Sequence, residues 1–119
     1  MSNGDKGNFT KSQWHNTDFG GNSGYDATFW RANLSESMIK GCDLSGIDFS
    51  ETIIDDIKII DPVSTLELKI NQNQIEIVSR AIQFTDQERQ AEYLNQIRKH
   101  GAKKTLSEYL KIAILEIKN

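Results

Sequence analysis

The chain has 119 residues, of which 37% are hydrophobic and 26% charged, and a net charge of −3. That length bounds it to one domain or two very small modules. No apolar run reaches the roughly 18 to 20 residues that span a bilayer, and so small a net charge argues against strong electrostatic binding of nucleic acid by the whole chain. The first residues, Met-Ser-Asn-Gly-Asp-Lys-Gly-Asn, hold no apolar signal core, and the lone Cys42 cannot form an internal disulfide. A cytoplasmic protein is the expectation.

From Phe9 onward a five-residue grid runs through Trp14, Phe19, Gly24, Phe29, Leu34, Ile39, Leu44, Phe49, Ile54 and Ile59, apolar everywhere but at Gly24. A helix face recurs at three and four residues and a strand face at two, so the period belongs to neither. Two residues before the centres stand Thr17, Ala27, Ala32, Ser37, Cys42 and Thr52, nearly all small, and the immediate neighbours of the centres are mostly polar. One large and one small residue per five therefore point inward. A chain that turns a corner every five residues stacks into a four-cornered coil, with about 4.8 Å between layers. Ile47 and Ile57 break the small position, so their corners must swell or turn those side chains outward. "GGNSG" at 20–24 reads as a local break between an irregular first coil and regular later ones, with a partner-contacting loop as the alternative.

The stretches "ANLSE", "CDLSG" and "IDFSE" resemble the pentapeptide-repeat proteins, whose consensus is A(D/N)LXX, over residues 7 to 61. The resemblance implies a short right-handed quadrilateral β-helix. Family members that confer quinolone resistance look like DNA rods and occupy topoisomerases where DNA should lie. By that analogy Glu36, Asp43, Asp48, Glu51, Asp55 and Asp56 form a candidate acidic, partner-binding face. Eleven repeats make a rod of only about 13 Å, about four base pairs of duplex at about 3.4 Å each, so a monomer is a poor DNA mimic and an end-to-end dimer a better one.

After Asp61-Pro62 the five-residue pattern is expected to stop, which divides the chain into a repeat domain at 1–61, with flexible first residues, and a mainly α-helical capping or dimerisation module at 62–119. "STLELKIN" alternates, predicting a short strand with Leu66, Leu68 and Ile70 on one face. "QIEIV" could pair back on it as a hairpin, but a helix from Asn73 to Phe84 is preferred because "NQNQ" lacks a turn glycine. Thr85 and Glu88 form a capping-box pattern for a second helix that Gly101 ends. Thr105 and Glu108 form another, for a last helix whose stripe of Leu106, Tyr109, Leu110, Ala113, Ile114 and Ile117 needs a capping or dimer partner. "TLELKI" followed by "KKTLSEYLKIAILEI" also resembles a ribbon-helix-helix DNA-binding module, although the spacing holds one helix too many.

No catalytic constellation emerges. His15 and His100 are single and far apart, Cys42 occupies an inward small position, and the glycine pairs lack the Lys-Ser/Thr of a phosphate loop. The sequence therefore predicts no enzyme activity, no cofactor and no metal. It favours a protein-interaction module that inhibits or modulates a nucleic-acid-acting complex, of the anti-defence, anti-CRISPR or topoisomerase-binding kind. Its partner would be a protein, with a homodimer as a further expectation; direct nucleic-acid binding and a membrane are not expected. The alternative is a DNA-binding regulator that uses the C-terminal half.

Overall fold

A computed structural model describes residues 8–16 and 31–115. The centres Phe19, Gly24 and Phe29, the small residues Thr17 and Ala27, the "GGNSG" stretch and Ile117 lie outside the described residues. The architecture is a β-helix-like stack of coils with a helical cap. Its main sheet is parallel, in the order β1 (Gln13–His15), β2 (Met38–Lys40), β3 (Lys58–Ile60) and β5 (Ile82–Gln83).

Four ladders run up the stack. The first joins Asn8, Asn33 and Ile53, and the second is the main sheet. A third bridges Asp43 to Ser64, and the fourth bridges Asp48 to Lys69, the first residue of β4 (Lys69–Asn71). Met38 lies over Lys58, 20 residues on, which is four pentapeptides per coil. Gln13 pairs with Met38, 25 residues on, so the connection between the first two coils is one pentapeptide longer.

The grid of five survives as packing. Leu34, Ile39, Leu44, Phe49, Ile54 and Ile59 are buried in one core, and Ala32, Ser37, Cys42 and Thr52 are buried with them. Each turn is made in two ways. The residue before a centre caps the amide that follows it: Asn33, Asp43 and Asp48 accept from Ser35, Ser45 and Ser50 N at 2.8–2.9 Å. The residue two after a centre takes the left-handed conformation, at Lys11, Asn16, Glu36, Gly41, Gly46, Asp56 and Asp61. That conformation costs an L-residue roughly 1–2 kcal/mol, and it turns the chain through the corner.

Ile47 and Ile57 do not turn outward; both are buried. Ile57 lies in the last full coil, where Ile77 and Ala81 of the helical cap flank it instead of another turn of repeat.

The repeat register does not stop at Pro62. It slips by one residue, so that Ser64 and Lys69 take the bridging places 21 residues after Asp43 and Asp48. Thr65 and Ile70 become buried centres, and Glu67 is again left-handed. Leu68 and Ile70 point inward as expected, but Leu66 is 53% exposed because the segment turns a corner instead of alternating along a strand.

The expected helix at 73–84 is a single 3-10 turn, Gln72–Gln74, then α1 (Ile75–Ala81), after which the chain returns to the sheet as β5. The second helix, α2 (Gln87–His100), ends at Gly101 as expected, but Asp86 is its cap, accepting from Glu88 and Arg89 N. Thr85 instead donates its hydroxyl and its amide to the Asp61 carboxylate.

The last helix is the largest departure. It starts early and stops early, as α3 (Ala102–Glu108), and Thr105 is buried inside it instead of capping it. Lys111 is left-handed, and Ala113–Leu115 form β6, which pairs in parallel with β4. The open edge of β4 offered ladder hydrogen bonds to Ala113–Leu115, and that pairing overrode the helical period. Coil four is thus assembled from two distant pieces, β5 and β6, with α2 and α3 in between.

Candidate interaction surface

The polar residues singled out by sequence fall at different places around the stack. Glu36, Asp55 and Asp56 gather at the corner between the first and second ladders, where the Glu36 amide donates to Asp55 O at 2.8 Å. Asp43 begins the third ladder and Asp48 the fourth, both half-buried with a carboxylate oxygen engaged in a turn. Glu51 pairs with Arg31 at 3.7 Å, with both side chains about half exposed. The six do not form one face. Asp43 and Asp48 are turn-formers by geometry, and only the Glu36–Asp55–Asp56 corner remains as an acidic cluster. The second ladder beside it carries the exposed cations Lys40 and Lys58.

The hydrophobic stripe of the last helix is also divided. Leu106 and Leu110 are buried in the chain's own core and cannot serve a dimer. Tyr109 and Ala113 are exposed, and Ile114 packs at the core's edge. The ribbon-helix-helix resemblance does not survive either, because β4 leads into a 3-10 turn and three helices and pairs in parallel with the chain's own β6. That arrangement leaves no strand ribbon for a groove.

Chemistry is sparse. No group of three or more metal-ligating residues occurs among the described residues, and His15 and His100 are surface residues. Cys42 is fully buried, with its Sγ 3.4 Å from Lys40 O and 3.5 Å from Trp14 O. Tyr93 is the strongest perturbed group: burial pushes its phenol above the ordinary range while its hydroxyl donates to Ser79 O at 2.7 Å. That is a packing role, completed by an edge-on contact with Phe84 at 5.6 Å. No helix among the described residues is long and apolar enough to cross a membrane.

Two features at the capped end were not anticipated. Gln74, buried, donates its side-chain amide to Phe49 O at 2.6 Å and to Thr52 O at 2.9 Å. It closes the first ladder in place of a further coil. Beside the third ladder lies a groove of about 480 Å³, lined by Val63, Leu66, Phe84, Arg89, Tyr109 and Lys111 among others. Val63, Leu66 and Tyr109 are 69%, 53% and 41% exposed, half of the six large apolar residues exposed among those described. The one-residue slip at Asp61-Pro62, read as a shift of register instead of an end, was the signal that would have placed Val63 and Leu66 on the outside.

In comparison with known proteins, the family model for pentapeptide repeats (8 copies) matches residues 25–56. Neither the curated proteins nor the solved structures gave a match. Pentapeptide-repeat proteins are often protein-interaction modules. Over its described part, residues 31–56, the turn-capping Asn/Asp, the small inward residue and the buried centre recur as three positions of one repeat, and residues 25–56 are a run of pentapeptide repeats.

Proposed function

We propose that this chain is a non-enzymatic protein-interaction module that works in the cytoplasm as a small inhibitor or modulator of a nucleic-acid-acting protein complex, of the anti-defence or CRISPR-effector-directed kind. One observation carries the reading. The repeats from Leu34 to Ile59 bury their apolar centres and spend most of their remaining residues on a fixed polar surface, which suits recognition by a preformed face. A DNA-mimicking topoisomerase blocker is the less favoured form, since the acidic residues are spread over several ladders and Lys40 and Lys58 lie beside the acidic corner. In this reading the right-handed quadrilateral coil is a rigid support, and affinity comes from the residues displayed on it.

The test is affinity capture with the tagged full chain from bacterial lysate, run beside a variant in which Glu36, Asp55 and Asp56 are all replaced by Lys. The expected result is stoichiometric recovery of a nucleic-acid-processing enzyme, whose activity in purified form falls on addition of the chain. Recovery of nothing above background, or of a partner with no role on nucleic acid, overturns the proposal. Loss of the partner in the triple variant assigns the contact to the acidic corner.

A further inference from the structure

The third ladder ends differently from the other three. Between the second and third coils, Cys42 C=O accepts from Val63 N and Leu44 N donates to Ser64 O, both at 2.9 Å. One coil later Glu67 N, the equivalent of Gly46 N, donates to Lys111 O at 3.3 Å and the Thr65 hydroxyl donates to Leu110 O, whereas Val63 C=O and Thr65 N–H, the equivalents of Cys42 C=O and Leu44 N–H, make no hydrogen bond among the described residues. Elsewhere at this level the upward-facing groups are used. Thr52 C=O takes the Gln74 amide, β3 pairs with β5, and Leu68 C=O accepts from Ala113 N at 2.7 Å. Coil four has its second and fourth sides, β5 and β6, and no strand on the side between them.

The groove of about 480 Å³ occupies that place. Phe84 follows β5 directly and Lys111 comes two residues before β6, so the groove is bracketed by the two ends between which a third strand would run. Its walls carry Val63, Leu66 and Tyr109 as exposed apolar contacts. Arg89, stacked 4.3 Å over the Phe84 ring, and Lys111 supply two cations, and none of the lining residues is a carboxylate. The nearby Asp61 carboxylate is engaged by Thr85.

We propose that this groove takes a short extended segment of a partner protein, apolar at alternate positions and acidic between them, which adds in parallel to Val63–Leu66 and completes coil four. Its backbone hydrogen-bonds Val63 C=O and Thr65 N–H, its apolar side chains cover Val63 and Leu66, and its carboxylates meet Arg89 and Lys111. An unpaired ladder position is a template for an added strand. The proposal rests on the interaction-module reading and gives it a site and a partner chemistry.

The experiment is amide-resolved NMR of the isotopically labelled full chain, titrated with acetyl-(Glu-Val)3-amide, its lysine counterpart acetyl-(Lys-Val)3-amide, and a backbone N-methylated acidic peptide. The acidic peptide should give saturable shifts at Val63–Glu67 and raise protection of the Thr65 amide from exchange at least tenfold. The lysine and N-methylated peptides should bind at least tenfold more weakly, and Arg89→Glu with Lys111→Glu should invert the order of the two charged peptides. If that pair fails to fold, Lys111→Glu alone should still narrow the preference severalfold. Equal binding of all three peptides, shifts centred elsewhere, no saturable shift, or equal competition by a (dT)6 oligonucleotide each overturn the proposal. Lysate capture with the Arg89→Glu, Lys111→Glu chain separates the two readings: full recovery of the partner leaves the interaction module standing and removes the groove.

Discussion

Replacing Gln74 with Ala tests whether a single side chain closes the end of the first ladder. Its amide nitrogen donates to Phe49 O and Thr52 O, and its Oε1 accepts from Asn71 N at 3.0 Å, all from a position only 6% exposed. Truncation leaves two carbonyls and one amide without these partners. A buried group left unsatisfied costs about 1–3 kcal/mol, and exposed Gln72 and Asn73 next to the site let water reach part of it. The expected loss is about 3 kcal/mol, a large share of the roughly 5–15 kcal/mol that a domain possesses. Urea unfolding followed by far-ultraviolet circular dichroism measures it, with an unchanged m-value showing that the stack itself is retained. A loss below about 0.5 kcal/mol would refute the capping argument. Gln74→Glu sharpens the test, because a carboxylate there faces two carbonyl oxygens. Its folded pKa must rise above the ordinary value of about 4.3, so the folded state holds the proton longer than the unfolded state. Stability of that variant must therefore fall as pH rises from about 4 and recover on acidification; a pH profile parallel to that of the natural chain would sink the assignment.

Gly41→Ala should cost about 1–2 kcal/mol, because Gly41 sits at φ 63° and a Cβ there would lie 2.5 Å from Asn16 Oδ1; Asp56→Gly, at φ 55°, should change stability in the opposite direction in the same urea assay. The Asp61 carboxyl is held below its ordinary range by the hydroxyl and then the amide of Thr85. A depressed folded pKa gives stability that is present above the unfolded value and lost as pH falls through the folded one, so Asp61→Asn should lower stability at neutral pH, change little well below the folded pKa, and flatten the acid limb between. Tyr93→Phe should lose about 1 kcal/mol for the buried bond to Ser79 O, and in the natural chain the Tyr93 phenol should titrate only on alkaline unfolding, as followed by ultraviolet absorbance. Cys42 should be inert to a thiol reagent in the folded chain and react at once in denaturant; a fast native reaction would contradict its buried position.

What the sequence disclosed was the inward chemistry. The period of five placed Leu34, Ile39, Leu44 and Phe49 on the axis because one residue type must fill a column whatever the rest of the chain does. The outward chemistry was harder to read. Asp43 and Asp48 looked like displayed charge, but an Asp or Asn before the centre is an acceptor for the amide two residues on, and nothing in a residue's identity separates the two uses. The helical pattern at Leu106, Leu110 and Ala113 misled for another reason. Local periodicity carries no knowledge of an open strand edge 44 residues earlier in the chain, and β4 claimed Ala113–Leu115. The groove escaped for the same cause, since it exists only where β5 and β6 leave a side of the coil unbuilt.

A stack of repeats held only by its neighbours can unzip one layer at a time from its ends. Here the last layer is stitched to the rest at two places drawn from opposite sides of a helical excursion, Ile82–Gln83 and Ala113–Leu115. Peeling either strand away also pulls on α1 and α3, whose Val78 and Leu106 belong to the same core as Ile59 and Ile70. The capped end therefore has no independent way to fray, and its coils and helices should melt in one cooperative step.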